Sequence, residues 1–322
     1  MLIDFCFFFL PSLSFHDCIC PTFLFGPVGI YALGAVAAKL AGERQEMDHF
    51  VKLLNKVGKE SALVVDSGEN GIPYELLYGR AGYIWSTLYV NKQLGFEAIP
   101  ATTVRPILDA IFAAGRTEGH PSKSPLMYYW HGKPYWGAAH GLAGIMHCLL
   151  HYQLEEQDLA AVKGVLMYMI KNRFPESKNY PSREENRDDK LVQWCHGAPG
   201  LALTLCKASE VFTEKVFRDA AMEAGEVVWK RGLLRKVGLC HGVSGNGYTF
   251  LALYKLLQDE KYLHRAKAFG CFLLDNARGL IDSGEMHGGD HPYSLFEGLA
   301  GMCCLWLDLT NPVSARFPGY EI

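Results

Sequence analysis

Two cysteine–histidine–glycine triplets stand at matching places in this 322-residue chain. Trp194-Cys195-His196-Gly197-Ala198-Pro199-Gly200 carries the first, and Leu239-Cys240-His241-Gly242-Val243-Ser244-Gly245 the second. In each, the cysteine lies two residues before a Gly-x-x-Gly, and an apolar run follows. Thiolate and imidazole suit zinc, and ligands repeated at matched positions can converge when the repeats share an axis. Cys195, Cys240 and one adjacent histidine are therefore candidate metal ligands. Their spacing does not choose between His196 and His241, and it leaves His140 open as a fourth ligand. Three protein ligands with an open position would mean a catalytic site, four a structural one.

The elements that must position these residues are repeats. Gly-x-x-Gly recurs six times, at Gly26/Gly29, Gly79/Gly82, Gly141/Gly144, Gly197/Gly200, Gly242/Gly245 and Gly298/Gly301. An apolar run follows each pair, then a longer amphipathic stretch. In the fourth repeat, Leu201 to Val211 suits an inner helix. Val216, Phe217, Ala220, Ala221, Ala224, Val227 and Val228 then recur at the three- and four-residue spacing of an outer helix with one buried face. Gly232 stands where that helix would end. Tandem helix pairs with apolar inner members predict an all-α fold, an α/α toroid closed on itself. The two residues before each first glycine are Leu24-Phe25, Leu77-Tyr78, Ala139-His140, Cys195-His196, Cys240-His241 and Phe296-Glu297. Glu75 lies two residues further upstream in its repeat. The polar members of this set fall in one layer at the helix starts, where the partial positive charge favours thiolate.

Composition narrows the setting. Hydrophobic residues make up 49% of the chain, which excludes disorder, and a net charge of -3 recommends neither nucleic acid nor an anionic membrane as partner. Ten dispersed cysteines in a chain this long read as reduced thiols of a cytoplasmic protein. Of these, Cys148, Cys206, Cys271, Cys303 and Cys304 lie in apolar helical runs and read as packing residues. Residues 1–22 form an atypical N-terminal segment and 23–322 the repeat domain. Asp4 replaces the positive charge of an export signal, and Pro11, His16 and Asp17 interrupt the apolar stretch, so the start reads as a truncated or misassembled frame. Phe23 to Ala38 is apolar but only 16 residues long, and reads as a buried helix. Runs long enough to span a bilayer are missing, which argues against an integral membrane receptor.

These residues resemble the lanthionine synthetase C-like (LanC-like) family. The resemblance runs from about Phe23 to Ile322 and rests on Glu75 to Tyr83, Gly137 to Gly144, Trp194 to Gly200, Leu239 to Gly247, Ser294 to Gly298 and Arg316 to Glu321. Met286-His287-Gly288-Gly289-Asp290 is similar to the plant branch. The resemblance implies an α/α toroid of seven inner and seven outer helices, with one zinc ion bound by Cys195, Cys240 and His241. It implies an acid/base role for His140, and Glu75 stands where bacterial members carry an acidic active-site residue. Bacterial members add cysteine thiols to dehydroalanine or dehydrobutyrine in peptides; eukaryotic ones bind glutathione. This chain shows six of the seven repeats, the first being the one not seen. Gly289-Asp290-His291-Pro292 also lacks an arginine that animal members use to hold glutathione.

The expected activity is thus zinc-dependent addition of a glutathione or peptide thiol to a dehydroamino acid. Histidine ionises near neutral pH, so His140 could protonate the α-carbon. Lys236, in the basic cluster Lys230-Arg231 and Arg235-Lys236, could hold a glutathione carboxylate or an enolate oxygen; the other reading of that cluster is a solvated helix end. The competing function is a zinc- or glutathione-binding scaffold for signalling without turnover, with room for peripheral association at the plasma membrane. Glu75 and Glu297 as the paired carboxylates of a glycosidase find no support in their spacing.

Overall fold

The structure, a computed structural model, describes residues 20–63, 71–120 and 122–322. Residues 1–19, which make up most of the atypical segment and include Cys18, lie outside them. Among the described residues there are eleven helices and no strand beyond three isolated bridges. The chain divides into two compact units between Ala113 and Ala114. The first contains α1 (Pro27–Ala41), α2 (Arg44–Leu63), α3 (Arg80–Leu94) and most of α4 (Ala101–Glu118). The second contains α5 (Leu142–Leu149), α6 (Glu156–Lys171), α7 (Ala198–Val211), α8 (Lys215–Arg231), α9 (Val243–Leu257), α10 (Glu260–Asp282) and α11 (Leu299–Thr310).

Each odd-numbered helix starts at a glycine pair. Gly26, Gly79, Gly141, Gly197, Gly242 and Gly298 are their N-caps, and a glycine has no side chain with which to cap its own helix. Outside α7, the orphan N–H groups of the first turn find backbone carbonyls instead. Leu142 and Ala143 donate to the carbonyls of Tyr135 and Trp136 (3.1 and 3.0 Å), and Val243 and Ser244 to those of Lys236 and Val237 (2.9 and 3.3 Å). Arg80 and Ala81 do the same with Pro73 and Tyr74 (2.9 and 3.3 Å). The donor is always seven residues after the acceptor, so the preceding loop is wound tightly over each helix start. The second glycine makes this approach sterically feasible. A Cβ on Gly200 would lie 2.2 Å from the Trp194 carbonyl oxygen, and one on Gly245 1.8 Å from that of Leu239. Gly245→Ala should therefore destabilise the protein by about 3 kcal/mol or more, lowering the thermal midpoint by roughly 6 °C or more. Thermal unfolding checks this; a midpoint within a degree of wild type would show that the loop can give way.

Packing follows the pairing read from the sequence. In the second unit α5, α7, α9 and α11 pack as successive neighbours, with α6, α8 and α10 against α5, α7 and α9. All eight residues of α5 are buried, whereas α8 buries one face through Phe217, Ala220, Ala221, Ala224, Gly225, Val227 and Val228. In the first unit α1 differs from expectation. It buries a stripe of small residues (Val28, Gly29, Ala32, Ala35, Ala38) but exposes Ile30 at 39%, Leu33 at 40% and Leu40 at 82%. Apolar composition alone did not mark which side of this helix meets its neighbours. The expected packing cysteines also divide: Cys148 and Cys206 are buried, Cys304 is half-buried, and Cys271 and Cys303 are exposed.

Residues 315–321 return to the core of the second unit, where Ala315, Phe317 and Tyr320 are fully buried. The Tyr320 ring stacks on His147 at 4.0 Å, and His147 Nε2 donates to the Tyr320 carbonyl at 3.0 Å. Burial, followed by the charges of His151 and Lys207, holds His147 well below the usual histidine value of 6.5, so it folds neutral. Unfolded chains bind this proton near pH 6.5 and the folded state does not. Its contribution to stability is thus complete above that pH and falls on acidification by about 1.4 kcal/mol per pH unit, until the folded value is reached. Thermal midpoints between pH 7.5 and 5 should fall less steeply for His147→Gln than for wild type; equal slopes would assign the acid sensitivity to other groups.

Candidate metal centre

Cys195, Cys240 and His241 come together in the second unit. Their ligand atoms all lie within 4.8 Å of one another. Backbone holds the two loops in register: the Cys195 N–H donates to the Cys240 carbonyl (3.2 Å), and the Cys240 N–H to the Phe296 carbonyl (2.8 Å). The Gln193 side-chain amide donates to Cys195 Sγ at 3.3 Å. Cys195 is buried, and Cys240 and His241 are half-buried.

The two thiols hydrogen-bond each other, and this contact moves their proton affinities in opposite directions. The Cys195 thiol is held well below its ordinary value, foremost by the hydrogen bond from Cys240 and then by those of His241 and the charge of His196, against the opposing effect of burial. Cys240 is pushed up by that same hydrogen bond, by burial, and by the charges of Cys195 and Glu297, while Lys236 pulls it down. A divalent cation at the cluster would offset the negative charge that Cys195 and Glu297 place on Cys240. A tetrahedral zinc ion with sulfur at about 2.3 Å and nitrogen at about 2.0 Å puts such ligand atoms within roughly 4 Å of each other, so only small shifts are needed. Two thiolates and one imidazole form a donor set of the type that zinc takes.

His196 follows its cysteine just as His241 does, yet it is not brought to the cluster. Its ring hydrogen-bonds the Ser182 carbonyl, its Nδ1 is buried without a partner, and it lies 5.7 Å from the Tyr135 ring. Burial lowers its proton affinity. Ser182 belongs to the long connection before α7, where Arg183 pairs with Tyr135: Trp136 N–H donates to the Ser182 carbonyl (3.0 Å) and Glu184 N–H to the Pro134 carbonyl (2.8 Å). His196 is thus a strut between this connection and the Cys195 loop.

His140 is half-buried, stacked 5.8 Å from Trp130 with 15° between the planes, and 6.2 Å from the Tyr135 ring. It is near enough to His196 for their charges to interact. Trp130 is held there by a tight hairpin in which His131 and Gly132 both take left-handed backbone (φ 48° and 67°) and Trp130 pairs with Lys133. Lys236 is half-buried beside Cys240 and pairs with His287 through a backbone bridge. Glu297 also acts on Cys240, and its Oε2 is buried without a hydrogen bond. Glu75 belongs to the first unit. It is buried, and its carboxylate accepts the N–H groups of Leu77 and Tyr78 (2.9 and 2.5 Å), tying down the turn before α3.

Sequence reasoning missed the clamp on the first loop. At α7, Pro199 has no N–H to offer, and Ala198 N–H donates to Asn179 Oδ1 at 2.9 Å. Asn179 in turn donates to Asp189 (2.7 Å) and to the Leu191 carbonyl (2.9 Å), and Arg231 grips Asp189 with two bonds at 2.9 and 3.0 Å. Burial pushes the Asp189 carboxyl up, but bonds from Asn179, Ser177 and Arg231 outweigh it and hold the group below its usual value. Arg231 is therefore a structural ion-pair partner and not an anion clamp; the proline at the second helical position was the one local clue that backbone capping fails here. Asp189→Ala should loosen the Cys195 loop and weaken metal binding by about 10- to 100-fold, as loss of an outer-shell partner does. Chelator competition measures this, and unchanged affinity would show the loop needs no clamp.

An all-helical chain with this cluster at its helix starts has the features expected of the LanC-like family. The sequence profile described as "Lanthionine synthetase C-like protein" matches residues 20–322, and the chain belongs to that family. It is 50% identical over 305 residues to LanC-like protein GCL1 of Arabidopsis thaliana, covering 94% of this chain and 70% of that protein. It is 40% identical over 312 residues to Glutathione S-transferase LANCL1 of Danio rerio, covering 94% of this chain and 74% of that one. The higher identity to the Arabidopsis protein agrees with the resemblance to the plant branch. Among solved structures, Nisin cyclase matches with a TM-score of 0.70 at 18% identity, over 95% of this chain and 80% of its own, which establishes the α/α-toroid fold. Six glycine-capped helices are present among the described residues, as the six sequence repeats predicted. No helix among them is long and apolar enough to cross a membrane.

Proposed function

We propose that this protein adds thiols, glutathione foremost, to dehydroalanine or dehydrobutyrine residues of peptides or proteins, using one zinc ion held by Cys195, Cys240 and His241. The observation that carries this reading is the convergence of those three side chains to within 4.8 Å. Family membership and the glutathione transferase relative support thiol chemistry and glutathione as the thiol. When bound, zinc would supply the positive charge that lets a thiol give up its proton near neutral pH.

The chemistry balances without a redox partner. One C–S bond forms at the β-carbon and one C–H bond at the α-carbon, the alkene π bond is consumed, and the proton lost by sulfur matches the proton gained by carbon. His140 is assigned that proton delivery. Its ring is held by stacking on Trp130, and a placed imidazole is a common proton donor in catalysis. Lys236 is assigned to an anionic oxygen of glutathione or of the enolate. The cytoplasm, with peripheral contact at the plasma membrane, is the proposed location.

The test is direct. Zinc-loaded protein, glutathione and a dehydroalanine peptide should give a thioether product heavier by one glutathione, with no product when zinc is removed. Glutathione binding with no product would leave a binding protein in place of an enzyme.

A further inference from the structure

Three rings meet beneath the two cysteine loops. Trp194, next to Cys195 in sequence, stacks on Phe317 with centroids 5.0 Å apart and 18° between planes. Phe296, whose carbonyl holds the Cys240 N–H, packs against Trp194 at 5.7 Å and Phe317 at 6.3 Å. Phe317 thus touches the neighbour of one thiol and the backbone partner of the other. It has no exposed surface, and neither does Tyr320, which meets the Trp194 ring edge-on at 5.4 Å.

Segment 315–321 is fastened from several sides. The Tyr320 hydroxyl shares a 2.6 Å hydrogen bond with Thr204 on α7, and Lys255 on α9 donates to the Ala315 carbonyl (2.6 Å) and to Glu321 (3.0 Å). Glu321 accepts the Phe317 N–H at 2.8 Å, closing the turn that aims the Phe317 ring at Trp194. A ring clamped in this way transmits position, because a packed interior has no slack to absorb a displaced neighbour.

We infer that Phe317 is a positioning residue for the metal centre, setting the spacing of Cys195 and Cys240 through Trp194 and Phe296. The inference rests on the zinc reading above. A side chain that only filled volume would affect stability alone; a positioning ring affects the metal at constant fold.

The experiment compares Phe317→Leu and Phe317→Ala with Phe250→Leu. Phe250 is equally buried, but its ring partners are Phe269 (5.1 Å) and Trp229 (6.1 Å), which do not touch Trp194 or Phe296 in any described ring contact. Zinc affinity is read by chelator competition, and the ligand geometry by the absorption spectrum of the cobalt-substituted protein. Phe317→Leu should weaken zinc by about 10-fold and Phe317→Ala by up to about 100-fold, as outer-shell losses do, each with a shifted cobalt spectrum. Phe250→Leu should lower the thermal midpoint while leaving zinc affinity and spectrum unchanged. If the alanine variant does not fold, the leucine variant alone decides. Unchanged zinc affinity and spectrum in Phe317→Leu, or equal losses in Phe250→Leu, would overturn the inference and leave the zinc reading standing. A wild-type protein that binds no zinc would overturn both.

Discussion

Cys240→Ala should remove bound zinc and thiol addition together. Loss of an outer-shell partner costs a metal site about 10- to 100-fold in affinity, so loss of one of three direct ligands should exceed 100-fold. At micromolar protein after dialysis, metal content should fall from about one zinc per chain to near none. The remaining Cys195 also loses the hydrogen bond that does most to lower its proton affinity. Cys206→Ala is the matched control: this thiol is buried on α7, and burial pushes its proton affinity up, so it should bind no metal and its loss should leave zinc in place. A Cys240→Ala protein that keeps its zinc and its rate would rule out the proposed centre.

His140→Asn should do the opposite, keeping zinc and losing turnover. Proton transfer by a placed side chain contributes about 10²- to 10⁴-fold, and that is the expected loss in kcat. His140 is half-buried at a loop and is not among the three clustered residues, so folding and metal content should stay near wild type. Binding of glutathione should likewise persist. A variant with normal kcat would move the proton-delivering role elsewhere, with Glu297 the next group to examine because of its buried, unbonded oxygen beside Cys240. A variant that lost zinc instead would recast His140 as a ligand.

Much of the architecture was legible because it is local. A glycine at the N-cap and another three residues later are needed wherever a loop winds over its own helix, so the glycine spacing alone placed all six helix starts. The amphipathic run Val216 to Val228 likewise placed α8, since a 3.6-residue period is written in the sequence. The side of α1 that is buried was less legible, because a helix apolar all round carries no such period. The fate of the cysteines followed the same division. Cys148 and Cys206 sit in the buried stretches of α5 and α7, whereas Cys271 and Cys303 occupy the outward positions of α10 and α11, which only neighbouring helices define.

The sequence by itself determined the repeat, the helical class and the residue types able to hold a metal. The tertiary structure decided which of two equivalent histidines joins the cysteines. His196 and His241 have the same local context, Cys-His-Gly before a helix, so nothing within a few residues distinguishes them. What differs is the chain packed against each loop. The connection through Ser182 and Tyr135 takes up the His196 ring, whereas His241 lies beside both thiols. The clamp of Asn179, Asp189 and Arg231 and the rings of Phe317 and Tyr320 belong to the same category. Asp189 lies 6 residues from Cys195 along the chain, but the partners that fix it and the rings lie from 16 to more than 100 residues away, where local propensity carries no information and only close packing sets position.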